Sequence, residues 1–420
     1  MAGKGYGLSI NVNFPALRHR NFRLFWIGQC FSLIGTWMQN IGQSWLVLEL
    51  THSAFKLSII TMLQFLPMLL FSLAFGTLID KFPKKKVLIF TQTAMMILAL
   101  ILATLTYFKV IEYWHIVLLA LALGIVNTLD MPTRQAYMSE IVERKDLMNA
   151  VALNSSIFNL ARVIGPAIAG IMIGLWGIAI CFYLNAISFL AVIAGLFLID
   201  AVGKPLVAMS EHFFKSVVHE AMHGLKYVNS KPDLKRPLIF LAFIAVLTMN
   251  YSLIIPIYAK QTLGMDATGY GFLMGVMGLG SFSGAMIVAI KSHVGPQTKF
   301  QLAGALGAST FMFLLGIQAN LILICIFLFG MGFSSSVFIS IINSALQLSS
   351  SEQMRGRVMS IYTLVFVGFT PFGSLIAGLL MEAFQAPGCM VITGILGSIV
   401  SLAYIYFHNR PLKSKLSEAV

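Results

Sequence analysis

Residues 177–199 read GIAICFYLNAISFLAVIAGLFLI, without a single Asp, Glu, Lys or Arg. A helix needs about 20 mainly apolar residues to cross the hydrocarbon of a bilayer, and this stretch supplies them. Working outward, similar apolar runs lie near 24–48, 56–79, 87–107, 114–137 and 147–173. After a polar stretch come 237–259, 268–290, 300–317, 321–346, 358–381 and 388–407. The pattern predicts an all-α membrane protein of twelve transmembrane helices in two sets of six. The short gaps near Gly174–Gly177 and at Asn320 leave room to merge or split one pair.

Composition agrees. The chain is 58% hydrophobic and only 10% charged over 420 residues, whereas an average soluble domain carries about 25% charged residues. So few charges do not cover a water-facing surface of this size, which leaves lipid as the main solvent. The formal net charge is +13, but the charges sit in short gaps between apolar runs. Anionic lipid headgroups, rather than nucleic acid, are the expected electrostatic partner. Cys30, Cys181, Cys325 and Cys389 are far apart in apolar surroundings, which excludes a disulfide framework or a CxxC site. The first apolar run begins after Arg23, is too long for a signal peptide and reads as a membrane helix.

Sidedness follows from the basic residues. With the N-terminus inside, the segments between spans hold 23 Lys and Arg on the cytoplasmic side against three (Lys56, Lys109 and Lys260) outside. That asymmetry predicts a multi-pass cell-membrane protein with both termini cytoplasmic. The halves also echo one another. Gly76 and Gly284, Gly165 and Gly373, and Gly170 and Gly378 each stand 208 positions apart, in corresponding spans. Duplicated halves facing one another across a midplane site is a transporter design. The expected organisation is an N-terminal bundle over 1–200, an amphipathic cytoplasmic linker over 201–236 and a C-terminal bundle over 237–420. In the linker Phe214, Val217, Val218, Ala221, Leu225 and Val228 recur at helical spacing, so it lies on the inner membrane surface or against the bundle.

Several motifs resemble those of the major facilitator superfamily. Residues 76–86, GTLIDKFPKKK, are similar to the signature loop between its second and third helices, with Lys81 and Pro83 where Arg and Gly are usual. Residues 162–170, RVIGPAIAG, resemble the fifth-helix Gly-Pro motif of exporters, here Gly165, Pro166 and Gly170. Residues 14–23, 43–51 and 354–360 (FPALRHRNFR, QSWLVLELT and MRGRVMS) look like the enterobactin-exporter and macrolide-efflux branch. The resemblance implies the two-bundle facilitator fold, a cavity lined by spans one, four, seven and ten, and a gate motif. In that motif Gly76, Asp80, Lys81, Lys84 and Lys85 latch the cytoplasmic side. Asp80 could also simply cap the structure that follows.

Polar residues inside spans are the candidate site. Asn127, Asp130 and Arg134 share one face of the fourth span. An ionised side chain at the bilayer centre costs about 2.5–3.5 kcal/mol on insertion scales, so it needs a partner or a function. Two readings stay open: Asp130 is a proton-coupling carboxylate, or half of a buried ion pair with Arg134 or Arg162. Either arginine could instead meet an anionic substrate. Pro132 between the first pair can kink the helix. Gln39 and Gln43 on the first span, Asn250 and Tyr251 on the seventh, and Ser336, Ser340 and Asn343 on the tenth are cavity-lining candidates or helix-to-helix glue. Gly271, Gly275, Gly280 and Gly284 form small-residue pairs suited to close helix packing.

His219-Glu220-Ala-Met-His223 is a literal HExxH on the linker helix. Zinc catalysis needs a third ligand and a cleft, and none is evident in the sequence, so no metal, no other cofactor and no enzymatic activity are expected. No phosphate-binding Gly-rich loop is present either, leaving an ion gradient as the source of work. One charge moved through 100 mV is worth about 2.3 kcal/mol. The sequence therefore reads as a monomeric secondary transporter with alternating access, exporting amphiphilic small molecules (drug-like compounds or a siderophore) by proton antiport. A lipid translocator and a linker-borne metalloenzyme are the alternatives.

Overall fold

A computed structural model describes residues 14–79, 82–200, 213–291 and 295–408. The described residues are helical almost throughout and include no strand. The first six long helices are α1 (Arg20–Thr51), α2 (Ala54–Ile79), α3 (Lys84–Tyr107), α4 (Tyr113–Glu140), α5 (Leu147–Trp176) and α6 (Ala179–Leu198). Then come the linker helix α7 (Phe213–Ser230), α8 (Pro232–Thr248), α9 (Tyr251–Ile257), α10 (Ala267–Ile290), α11 (Thr298–Gly316), α12 (Leu321–Ser349), α13 (Glu352–Gly368) and α14 (Thr370–His408).

Every expected span falls on helix, but nine helical segments among the described residues are long and apolar enough to cross a membrane. The difference from twelve has two causes. One such segment, Gln353–Tyr406, holds two expected spans, divided where Gln385 takes φ 60° inside α14. The helices α1 and α11 fall short in apolarity because they carry polar side chains: buried Gln29, Ser32, Gln39 and Gln43 in one, and buried Gln301 and Ser309 with exposed Lys299 in the other. The seventh expected span is broken at Asn250, between α8 and α9. The break frees the Val246 carbonyl, and the Asn250 amide donates to it at 2.7 Å. Beyond Pro256 the chain widens into a π-helical turn, Tyr258–Thr262.

Helices α1 to α6 pack mainly on one another, as do α8 and α10 to α14, while α5 meets α10 and α2 meets α14 across the middle. The two halves repeat in detail. The Cys181 thiol points at the Ala169 carbonyl and the Cys389 thiol at the Ala377 carbonyl, again 208 positions apart. A Cβ on Gly165 would lie 2.5 Å from Trp37 of α1, and one on Gly373 2.6 Å from the Asn250 side chain. Gly170 seats α10, and Gly378 seats α2 at Ser58. Each missing side chain lets one helix touch the element that is equivalent by the internal repeat, because small residues allow backbones to approach.

The apolar core has an uneven shape. One large cluster draws from both halves, including Trp45, Leu57 and Ile173 with Tyr258, Tyr270 and Met381. These residues lie toward the end of the molecule away from the linker helix. At the linker end the core splits. Phe22, Phe25, Tyr137 and Leu196 form a cluster in the first half, while Val228, Phe240, Phe338 and Val358 form another in the second. The linker helix packs against the bundle through α13, α8 and α2. Gly224 admits the Arg357 and Ile361 side chains, and the Tyr227 hydroxyl sits 3.2 Å from the Ser351 hydroxyl.

Candidate functional site

Asp130 lies in α4 and is 1% exposed. Its Oδ1 accepts from the Thr91 hydroxyl at 2.7 Å and from the Gln92 amide at 2.8 Å, both on α3. Its Oδ2 pairs with the Arg134 guanidinium one turn along α4, and that guanidinium also donates to the Gln29 side chain on α1. Three helices therefore converge on one ion pair. Arg162 does not join them. The network is not closed: Gln29 Nε2, Gln92 Oε1 and Arg134 Nε are buried without a hydrogen-bond partner, and such groups cost about 1–3 kcal/mol each.

Arg162 occupies a separate place, midway along α5 and 9% exposed. It donates to the Tyr251 hydroxyl of α9. Its guanidinium carbon lies 5.1 Å from the Tyr251 ring centroid and 5.9 Å from that of Trp37 on α1. Phe158, half exposed one turn away, meets Trp37 edge-on at 6.0 Å. Gly165 and Pro166 follow Arg162 along α5 and are both buried.

The gate residues are only partly described. Asp80 and Lys81 lie outside the described residues, as does the setting of Gly76. Lys84 is fully buried and pairs with Glu140 at 3.2 Å, and Lys85 donates to the Ile199 carbonyl at 2.6 Å. These two lysines tie the start of α3 to the ends of α4 and α6.

The remaining polar candidates are dispersed. Gln39 accepts from Asn185 of α6 at 2.7 Å, and Gln43 is buried. Asn127 is exposed and Tyr251 half-buried. Asn250 caps the broken α8–α9 join as described. Ser336 is buried, Ser340 is half-buried, and Asn343 accepts from Gln347 at 2.6 Å. In the linker helix His223 is exposed and 3.5 Å from Arg357 Nη1, while the side chains of His219 and Glu220 lie outside the described residues.

The network around Asp130 and the aromatic surroundings of Arg162 were not legible as assemblies. Gln29 extends the Gln39 and Gln43 stripe backward along α1 at helical spacing, and Thr91 with Gln92 interrupts an otherwise apolar span. Those signals were available. Nothing local marked Trp37 and Phe158.

A family model described as a transmembrane secretion effector matches residues 11–419. Among known proteins the chain is similar to the staphyloferrin A transporter of Staphylococcus aureus, at 27% identity over 94% of this chain and 98% of that protein. It is also similar to the enterobactin exporter EntS of Escherichia coli (23%, covering 97% and 98%) and to the macrolide efflux protein A of Streptococcus pyogenes (21%, covering 91% and 94%). In fold it resembles a POT family transporter, with TM-score 0.77, 11% identity and coverage of 92% and 96%. It likewise resembles a bacterial homologue of the human lysosomal transporter Spinster solved in an inward-facing, unoccupied conformation, with TM-score 0.76, 12% identity and coverage of 93% and 97%. The family removes the metalloenzyme reading of the linker, because its members are transporters. With buried ionic groups inside apolar helices, an internally repeated fold and a family match across nearly its whole length, the chain belongs to the transmembrane secretion effectors of the major facilitator superfamily, multi-pass transporters of the bacterial plasma membrane.

Proposed function

We propose that the protein exports amphiphilic small molecules from the cytoplasm by proton antiport, with the Asp130–Arg134 pair as the coupling element. The chain crosses the membrane twelve times as a monomer, with both termini inside. Residues 1–200 and 237–420 rock against one another about a central site, and 201–236 links them on the cytoplasmic side.

The observation that carries this reading is the unsaturated network on Asp130. A buried ion pair with every donor and acceptor satisfied would be a permanent strut. Here three polar atoms beside it lack a protein partner, which leaves groups free to take up new hydrogen bonds when the pair rearranges. When Arg134 is drawn toward another group, Asp130 loses its countercharge, and the buried carboxylate is neutralised by taking a proton. When Arg134 returns, the proton leaves. The core geometry suits alternating access as well. A shared apolar cluster closes one end and separate clusters stand at the linker end, as expected of an inward-open state.

Uptake into inverted vesicles across a panel of dyes, macrolides and a catecholate siderophore tests the proposal. Wild type should accumulate at least one compound, and collapse of the pH gradient should abolish this. Asp130→Asn should bind but not accumulate. Equal accumulation by both proteins would remove Asp130 from coupling.

A further inference from the structure

We infer that Arg162, with Trp37, Tyr251 and Phe158, forms the recognition point for a carboxylate on the transported molecule. This rests on the reading of the chain as a small-molecule exporter and specifies which amphiphiles it takes. A guanidinium stays charged in any protein environment. Arg162 is 9% exposed, and its Nε is buried without a partner. Among the described residues no carboxylate lies within ion-pair distance of it, whereas Arg134 in the same membrane has Asp130. An isolated charge at that depth is costly, and a phenol oxygen with two ring faces offsets the cost only in part. The missing countercharge is therefore the ligand's.

The geometry suits a carboxylate joined to an apolar body. The guanidinium fork matches two carboxylate oxygens. Tyr251 now accepts from Arg162 through its oxygen, and its own hydroxyl proton can be donated to the same carboxylate. Trp37 and half-exposed Phe158 offer apolar faces beside it. The site also joins the two halves, since Trp37 and Arg162 come from α1 and α5 and Tyr251 from α9. A bound anion would bridge elements that move relative to one another.

The test is equilibrium binding to the full chain in nanodiscs, with empty nanodiscs subtracted and no ion gradient. The probes are 1-naphthylacetate and its uncharged isostere 1-naphthylacetamide. We expect the carboxylate to bind about ten-fold tighter than the amide, the worth of one charge-assisted hydrogen bond. Arg162→Gln should erase that preference, and Arg162→Lys should keep part of it. The proposal is overturned if wild type shows no saturable carboxylate binding, takes both probes equally, or if Arg162→Gln keeps the preference. The wild-type comparison decides even where a variant folds poorly. Loss of proton coupling would leave this binding intact, and loss of this binding would leave uptake of uncharged or cationic dyes intact, so the two readings fail separately.

Discussion

Neutralising one member of the Asp130–Arg134 pair should be far worse, relative to neutralising both, than independent side chains allow. In Arg134→Gln the carboxylate, 2% exposed in its side chain, keeps its bonds from Thr91 and Gln92 but loses its only described countercharge. Breaking a buried pair from one side costs about 3–5 kcal/mol, and the two retained bonds argue for the lower figure. In Asp130→Asn the surviving guanidinium is 21% exposed and keeps Gln29, so about 2 kcal/mol is expected after partial solvent screening. The double variant leaves no uncompensated charge, only amides able to bond one another. It should lose about 2 kcal/mol in total, giving a coupling of about 3 kcal/mol, the top of the range for residues in direct contact. Reversible unfolding in mixed detergent–lipid micelles, read by tryptophan fluorescence, supplies the cycle. If the two single losses add to within about 0.5 kcal/mol of the double, the pair is not a coupled unit and cannot serve as a switch.

Two further outcomes follow from packing and from the linker. A Cβ on Gly280 would stand 2.0 Å from the Phe329 carbonyl oxygen, and one on Gly332 2.1 Å from that of Met277; backbone does not yield as a side chain does. Gly280→Ala or Gly332→Ala should therefore force α10 and α12 apart and cost about 1–3 kcal/mol by the same unfolding assay. Gly356→Ala, with nothing near, should not destabilise, and equal effects at all three would refute close packing as the reason. The Tyr227 phenol of the linker helix is brought down from its ordinary value to about 8, chiefly by the Lys231 ammonium and then by Ser351. Its folded value lies below its unfolded one, so the Tyr227–Lys231–Ser351 contact gains stability as pH rises from 8 toward 10 and loses that gain as pH falls through 8. The phenolate absorbance of wild type minus Tyr227→Phe should show a step near pH 8; a step only at ordinary tyrosine alkalinity would contradict the contact.

What was legible in the sequence tracks what is local. Length and apolarity of runs such as 177–199 located helix because the bilayer imposes a length on each segment. Asp130 and Arg134 could be paired from a four-residue spacing alone. Their other partners came from α1 and α3, and no local rule links Gln29 or Thr91 to Asp130. The grouping of Arg162 with Asp130, open in the sequence, does not occur in the structure. The two residues lie on neighbouring spans, but Arg162 turns to Trp37 and Tyr251, a contact fixed by how α5 and α9 each pack on α1. The 208-residue repeat was visible as glycines, and its meaning appears only when Gly165 and Gly373 are seen to seat equivalent elements. Gln39 and Gln301 depress the apolarity of α1 and α11 although both are buried, Gln39 against Asn185 of α6, something composition alone does not separate from a weak span.

Coupled proton movement during substrate flux tests the central claim most directly. The purified protein in liposomes would be given an outward gradient of each panel compound, without an imposed pH gradient, while a trapped dye follows internal pH. Flux of at least one compound should drive protons in the opposite direction, and Asp130→Asn should abolish that proton movement. Compound flux in wild type with no proton movement would contradict proton antiport, leaving a uniporter whose buried Asp130–Arg134 pair is structural.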